Sequence, residues 1–294
     1  MLFVTGDCHG DFRRFSALRF PWQKLLTKED FVLVCGDFGG LWNGKAQEGF
    51  WLDWLEEKPF TTLFVDGNHE NFDLLEFFQP VPWRGGLIRK IRPSVFHLCR
   101  GSVFDLDGKK LFVMGGAASH DMPDGILRQG PALKQQRKAL DRRHARYRVE
   151  HESWWRQELP SQEEYRRALE NLDAAHWAVD LVVTHCAPTE LHTLLRPSLP
   201  PDELTEFLSR VRRKLSYGAW YCGHYHCDKT FPQERFRVLD DLILPVNWEE
   251  GKNRVKRIDK LIFSYYDKEE INNLKRGWRQ MNLPPYKRKK SHTA

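Results

Sequence analysis

No apolar run in this sequence approaches the length of a bilayer span, which removes the helical membrane-protein classes. The N-terminal stretch MLFVTGDCHG turns polar after four residues and lacks the extended apolar region of a secretory signal, so the chain is expected in the cytoplasm. Its six cysteines (Cys8, Cys35, Cys99, Cys186, Cys222 and Cys227) make no CxxC pair and no zinc-finger spacing. Most lie in or beside apolar runs, where a free thiol behaves as a small buried hydrophobe, so reduced cysteines are expected rather than disulfides. Nor is there an internal repeat of the kind that builds solenoids.

What is present is enough for a substantial core: 294 residues, 41% of them apolar, with 11 tryptophans. The net charge of +6 is unevenly placed. Residues 251–294 hold 13 Lys and Arg against 4 Asp and Glu, a surplus of +9, which leaves −3 for residues 1–250. We therefore divide the chain into a body, 1–250, and a basic C-terminal extension, 251–294. In the extension Trp278 and Tyr286 stand among cations, a pattern compatible with nucleic-acid binding; a solvated end is the plainer reading. LIFSYY (261–266) is too apolar to be wholly solvated and argues for some packing.

Five short apolar runs stand out: LFVT (2–5), FVLVC (31–35), TTLFVD (61–66), LVVT (181–184) and AWYC (219–222). They lack polar alternation and end at Gly, Asp or His, as strands buried on both faces do. Helices are expected between the first three and after the third, at about 11–20, 46–57 and 70–78, giving crossover units and a largely parallel sheet. Residues 86–114 and 229–246 read as shorter strands, with Asp107-Gly108 a hairpin signal, and point to a second, more antiparallel sheet. Residues 117–178 read as a helical insertion over one edge, a lid in form. One helix is expected in PALKQQRKALDRRHARYRVEHE, and another after Ser161, whose partner Glu164 completes a capping box.

Each of the five runs ends in residues able to hold a metal: Asp7-Cys8-His9, Gly36-Asp37, Asn68-His69-Glu70, His185, and Gly223-His224-Tyr225-His226. Any one of these is weak; LFVDGNHE (63–70) alone would be a strand followed by an Asp-Gly turn. In a parallel sheet, however, the carboxyl ends of strands share one edge, so groups distant in sequence meet in one crevice. Alternation in extended backbone would aim Asp7 and His9 the same way, and His224 with His226.

In order and spacing, GDCHG (6–10), CGDFGG (35–40), DGNHE (66–70), VVTHCAP (182–188) and CGHYHCD (222–228) resemble the signature of the calcineurin-like metallophosphoesterases, over about residues 1–250. The resemblance implies an α/β fold, an α/β/β/α sandwich of two mixed sheets, and a phosphate-ester hydrolase with two divalent cations. Manganese is the expected metal, with iron, zinc, cobalt and nickel as alternatives. Asp7, His9, Asp37 and His226 would hold one ion. Asp37, Asn68, His185 and His224 would hold the other, with Asp37 bridging and a metal-bridging hydroxide as nucleophile. His69, not itself a ligand, would protonate the leaving oxygen or steady the charge on the phosphoryl group. Glu70 would orient that ring or, the favoured reading, open the following helix.

Other residues carry weaker expectations. Cys186, Cys222 and Cys227 flank ligands but read as structural. His120 and Asp121 read as a surface turn, with the crevice rim as the alternative. Trp154 and Trp155 read as a helix anchor rather than a cap. The Asp-Arg pair of the protein Ser/Thr phosphatases is replaced here by Gly40 and Leu41, which removes one phosphate clamp; another arginine, such as Arg84 or Arg128, would have to take its place. The substrate is thus a phosphomonoester or phosphodiester outside the phosphoprotein branch. Protein phosphatase-like, nuclease or nucleotide phosphodiesterase activity and a catalytically silent scaffold are the alternatives. Oligomeric state is not readable.

Overall fold

Strands β1 (Leu2–Thr5), β2 (Phe31–Val34) and β3 (Thr61–Phe64) are buried along their whole length, as sequences of apolar residues and threonine with no charged side chain allow. They pair in parallel and in register, Leu2 with Phe31 and Phe31 with Thr61, so that Thr5, Val34 and Phe64 end at one level. The computed structural model describes residues 1–246; the basic extension, LIFSYY and the boundary at residue 250 lie outside them. Residues 1–243 form one compact unit, and a last short strand, Ile243–Pro245, ends the described part.

After α1 (Ala46–Glu56) and α2 (Phe72–Glu76), the chain adds β4 (Pro80–Trp83), β5 (Gly86–Arg92) and β6 (Val95–Leu98) to this first sheet. Its order is β1-β2-β3-β6-β5-β4, with β6 parallel to β3 and the last two antiparallel. The second sheet is built from β7 (Val103–Leu106) and β8 (Lys109–Met114), joined by the expected Asp107-Gly108 hairpin, then β11 (Ala178–Thr184), β12 (Ser216–Cys222), β13 (Lys229–Phe231) and β14 (Phe236–Val238). Its order is β13-β14-β12-β11-β8-β7.

Both sheets are therefore mixed, and two expectations change. The runs at 181–184 and 219–222 do not extend the first sheet; they are the parallel centre of the second. The strands of 86–114 are shared between the sheets, the chain crossing over at residues 99–102.

Alternation along the strands assigns the layers. Phe3, Val32, Val34 and Phe64 face an outer layer with Phe12, Phe15, Leu52 and Leu55. In the second sheet Phe112, Val182 and Trp220 face α4 (Gln162–Ala174), α5 (Thr189–Leu195) and α6 (Glu203–Lys214). The intervening residues, among them Leu33, Leu63, Val113, Leu181 and Val183, are buried as well, because the other sheet covers them. Trp83 of the first sheet meets Phe104 of the second at 5.8 Å between ring centroids. The result is helix, sheet, sheet, helix.

Local helices deviate where packing overrides propensity. The helix expected at 11–20 shrinks to one 3-10 turn, Arg13–Phe15, since Phe12, Phe15 and Phe20 are all buried and no single helical stripe holds them. The insertion is not uniformly helical. Its first helix, α3 (Leu133–Asp141), buries nothing and stops before His144, which has a φ of +52°. Arg148–Val149 then pairs as β10 with β9 (Ile126–Leu127). Helix α4 opens with the Ser161/Glu164 capping box, but it buries Tyr165, Ala168 and Leu172 and belongs to the outer layer.

Candidate metal centre

The register that levels β1, β2 and β3 delivers Asp7, Asp37 and Asn68 two, three and four residues past their strand ends. On the second sheet Thr184 pairs with Met114 and Val183 with Tyr221, so His185 and the 223–226 turn leave from a matching edge. The crevice thus lies between the carboxyl edges of two sheets, and all seven expected ligand residues meet there.

Asp7, His9 and His226 form one group with ligand atoms within 4.8 Å of one another; Asp7, Asp37 and His185 form a second. Asp7, rather than Asp37, is common to the two. Asp37 still reaches both sides, its Oδ2 lying 3.7 Å from His9 Nε2 and its Oδ1 3.4 Å from His185 Nε2. Asn68 Oδ1 is 3.2 Å from His185 Nε2. His224 stands outside both groups, its ring 5.0 Å from that of His185, while its backbone N–H donates to Asp7 at 2.9 Å.

Left-handed turns, not extended alternation, aim these side chains. His9, Asp37, His224 and His226 have φ of 47°, 46°, 68° and 48°. Such values are uncommon for residues with a Cβ and concentrate at functional sites. The turns are held from below by Arg14, which donates to Thr5 Oγ1 and to the carbonyls of Asp7 and Asp240.

Electrostatics set the two carboxylates apart. Burial raises Asp7 to about 6, with His185 opposing and Asp37 adding to the rise. Burial also acts on Asp37, but His185, His69 and His9 together pull it below the ordinary carboxylate range. Burial opposes charge on His185, yet Asp37 and Asp7 prevail and raise it to about 10. His9 is lowered to about 4 by burial, against the pull of Asp37.

This donor set fits a divalent metal. No Lys or Arg side chain contacts either carboxylate among the described residues, so two buried acids face each other with imidazoles alone to balance them. Three glycines make room: a Cβ on Gly36 would meet His185 Nδ1 at 2.1 Å, one on Gly67 would meet Asp37 Oδ1 at 2.0 Å, and one on Gly223 would meet Asp7 Oδ1 at 2.1 Å. The Cys35 carbonyl accepts from His185 Nδ1 at 2.8 Å, which leaves Nε2 as the nitrogen available to a metal. Cys186 and Cys222 are buried with thiols pushed well above their ordinary range, and neither they nor Cys227 join a metal-holding group, as the structural reading expects.

His69 is half-buried beside the cluster. Its N–H donates to Asp37 Oδ1 at 2.7 Å, and its ring lies 5.5 Å from that of His9. Burial lowers it below the usual histidine value, Asp37 opposing. Glu70 neither touches that ring nor caps a helix, since α2 is capped by Asn71. Its buried carboxylate instead accepts from the N–H groups of Phe38 and Gly39 at 2.7 and 3.3 Å, clamping the turn that carries Asp37.

Several supporting residues had no sequence signal. Asn68 Nδ2 donates to Ser119 Oγ at 3.0 Å, and that hydroxyl donates to Glu158 at 2.9 Å, so Glu158 fixes which way the Asn68 amide points. Burial raises Glu158 to about 8. Asp66, expected only as a turn former, is buried and accepts from Arg100 Nε at 2.7 Å and pairs with His97 Nε2 at 2.9 Å. Residues 117–121 reach the crevice rim: Asp121 pairs with Arg148, and both act on His69 electrostatically. Arg84 sits elsewhere, between Glu29 and Asp107, and Arg128 is exposed and pairs with no residue of the cluster among the described residues. Trp155 is buried with its ring edge against Trp42 and Nε1 on Asp73, an anchor as expected.

No described helix is long and apolar enough to cross a membrane. The lariat debranching enzyme A of Xenopus laevis is 27% identical over 147 residues, which cover 45% of this chain and 26% of that protein. The chain thus matches about a quarter of the length of that relative. Residues 2–228, more than three quarters of the sequence and every residue of the cluster, match the calcineurin-like phosphoesterase family, and the chain belongs to it.

Proposed function

We propose that this chain is a metal-dependent hydrolase of phosphate esters, working with two divalent cations held by Asp7, His9, Asp37, Asn68, His185, His224 and His226. The observation that carries it is the convergence, at the matched edges of two sheets, of two buried carboxylates and their imidazoles around room kept by three glycines. Bound there, the cations would polarise a phosphoryl oxygen and activate water at neutral pH. The chain's own residues do the rest. Asp7 and Asp37 supply the negative charge that retains the cations. Glu70 keeps the Asp37 turn closed, and Ser119 with Glu158 keeps the Asn68 oxygen aimed inward. His69, outside the donor set but beside it, would protonate the departing oxygen or steady the charge on the phosphoryl group.

Manganese is the metal we favour for this nitrogen and oxygen donor set, with iron, zinc, cobalt or nickel acceptable to it. A phosphodiester reading draws support from the Xenopus relative's name as a lariat debranching enzyme. The protein-phosphatase reading is weakened by Gly40 and Leu41 at the phosphate-clamp position. Nucleic acid as a partner of residues 251–294 rests on their charge and on Trp278 and Tyr286 standing among the cations. The cytoplasm suits six unpaired thiols.

Purified protein supplied with Mn²⁺ should hydrolyse bis-p-nitrophenyl or p-nitrophenyl phosphate, lose that activity on chelation, and regain it when metal is restored. Turnover indifferent to chelation, or none with any of the five metals, would sink the reading. Ser119→Ala, which frees the Asn68 amide, should weaken metal affinity about 10- to 100-fold in a metal titration. An unchanged titration would mean that the hydroxyl does not orient Asn68.

A further inference from the structure

Next to the cluster is a cleft of about 430 Å³ whose lining includes His9 and His69. That volume falls in the range of small-molecule pockets. Its walls are the indoles of Trp42 and Trp51, both fixed by other rings: Trp51 meets Phe12 at 6.1 Å and Trp54 at 5.2 Å, and Trp42 meets Trp155 at 5.5 Å. The aromatic faces are therefore in place without a ligand.

The polar lining is unusual in what it leaves available. Glu48, the one carboxylate in it, accepts from the backbone N–H groups of Trp42, Asn43 and Gly44 at 3.0, 2.8 and 2.9 Å, and so is committed to shaping the loop. The side chains of Lys45 and Gln47 are exposed and make no hydrogen bond or ion pair among the described residues, and the Asn43 side chain uses only its carbonyl, which accepts from the Lys45 N–H. The cleft thus offers two aromatic faces, two amides and one ammonium group, with no free carboxylate. That combination suits a flat, neutral heterocycle with hydrogen-bonding edges attached to an anion. A phenol ring would leave the amides unused, and a simple polyol would leave the indoles unused.

We propose that this cleft seats the leaving group of the substrate and that the leaving group is a nucleoside, its base lying against Trp51. The inference rests on the phosphoesterase reading above. His69 ties the two together, since it lines the cleft and stands beside the cluster. In the hydrolysis, water contributes the oxygen of the new P–O bond. The bond to the nucleoside oxygen breaks with its electron pair going to that oxygen, and His69 places a proton there. The free nucleoside is left in the cleft.

Two measurements on the full chain separate the claims. The first is quenching of tryptophan fluorescence by adenosine and guanosine, which carry no phosphate and need no turnover. Quenching is expected in the wild type and should be lost in Trp51→Ala; Gln47→Ala, an exposed change that spares the packing, should weaken it several-fold. The second is Mn²⁺-supported hydrolysis of nucleoside monophosphates against glycerol phosphate and phosphotyrosine. Nucleotides should be preferred, and Trp51→Ala should raise their KM on the order of tenfold while changing kcat much less. Trp51→Phe should restore most of the binding. Absence of nucleoside quenching, or a preference for phosphotyrosine or glycerol phosphate, overturns the cleft assignment even if hydrolysis is robust. Quenching without hydrolysis of any ester overturns the phosphoesterase reading and leaves a base-binding cleft.

Discussion

Asp37→Asn is expected to lower metal-supported hydrolysis by more than about 100-fold, beyond the range found for residues that only support a ligand. The substitution is almost isosteric. The amide oxygen can still accept from the His69 N–H, now 2.7 Å from Oδ1, so the turn survives. What disappears is one of two adjacent buried charges and the oxygen 3.7 Å from His9. Metal-free Asp37→Asn should be less stable than the wild type in urea at neutral pH, because His185, His69 and His9, which together hold Asp37 ionised, lose the charge they face. Metal content after dialysis should fall in parallel with activity. A variant that retained both metal and turnover would remove Asp37 from the chemistry.

His69→Ala is expected to cost about 10²- to 10⁴-fold in kcat, the contribution of a positioned acid, while leaving metal content intact. The two outcomes separate because the backbone of residue 69, not its ring, touches Asp37. The defect should also depend on the departing group. p-Nitrophenolate leaves readily without a proton, so bis-p-nitrophenyl phosphate should be affected far less than an ester of an ordinary alcohol. An equal loss on both substrates would assign the ring to steadying the phosphoryl group instead of protonating the leaving oxygen.

The strand ends were legible because burial on both faces demands unbroken apolar runs, and each run stops where its polar residue appears. Thr5, Val34 and Phe64 mark those stops, and Asp7, Asp37 and Asn68 follow them. Which sheet a run joins was not legible. Leu181–Thr184 reads like Phe31–Val34, and only the pairing of β11 with β8 and β12 distinguishes them. Nor does a sequence display left-handed backbone at His9, Asp37, His224 and His226, because histidine and aspartate do not advertise it as glycine does. The glycines at 36, 67 and 223 were visible as letters, but their reason is a clash with side chains from other strands. Glu70, Ser119 and Glu158 were opaque for a related cause: their roles are hydrogen bonds to partners 31 to 51 residues away. The cleft around Trp51 was hidden because aromatic residues on α1 read as core until the structure shows one side open.

The level alignment of β1, β2 and β3 has a bearing on how this chain tolerates insertion and deletion. Residues added to the connections between these strands lengthen the excursion and return to the same starting point. One residue added within a strand would shift everything beyond it by about 3.3 Å and turn its side chains to the opposite face. Length polymorphism is therefore expected to accumulate in the crossovers, while the distance from each strand's last residue to its acid or amide is held fixed.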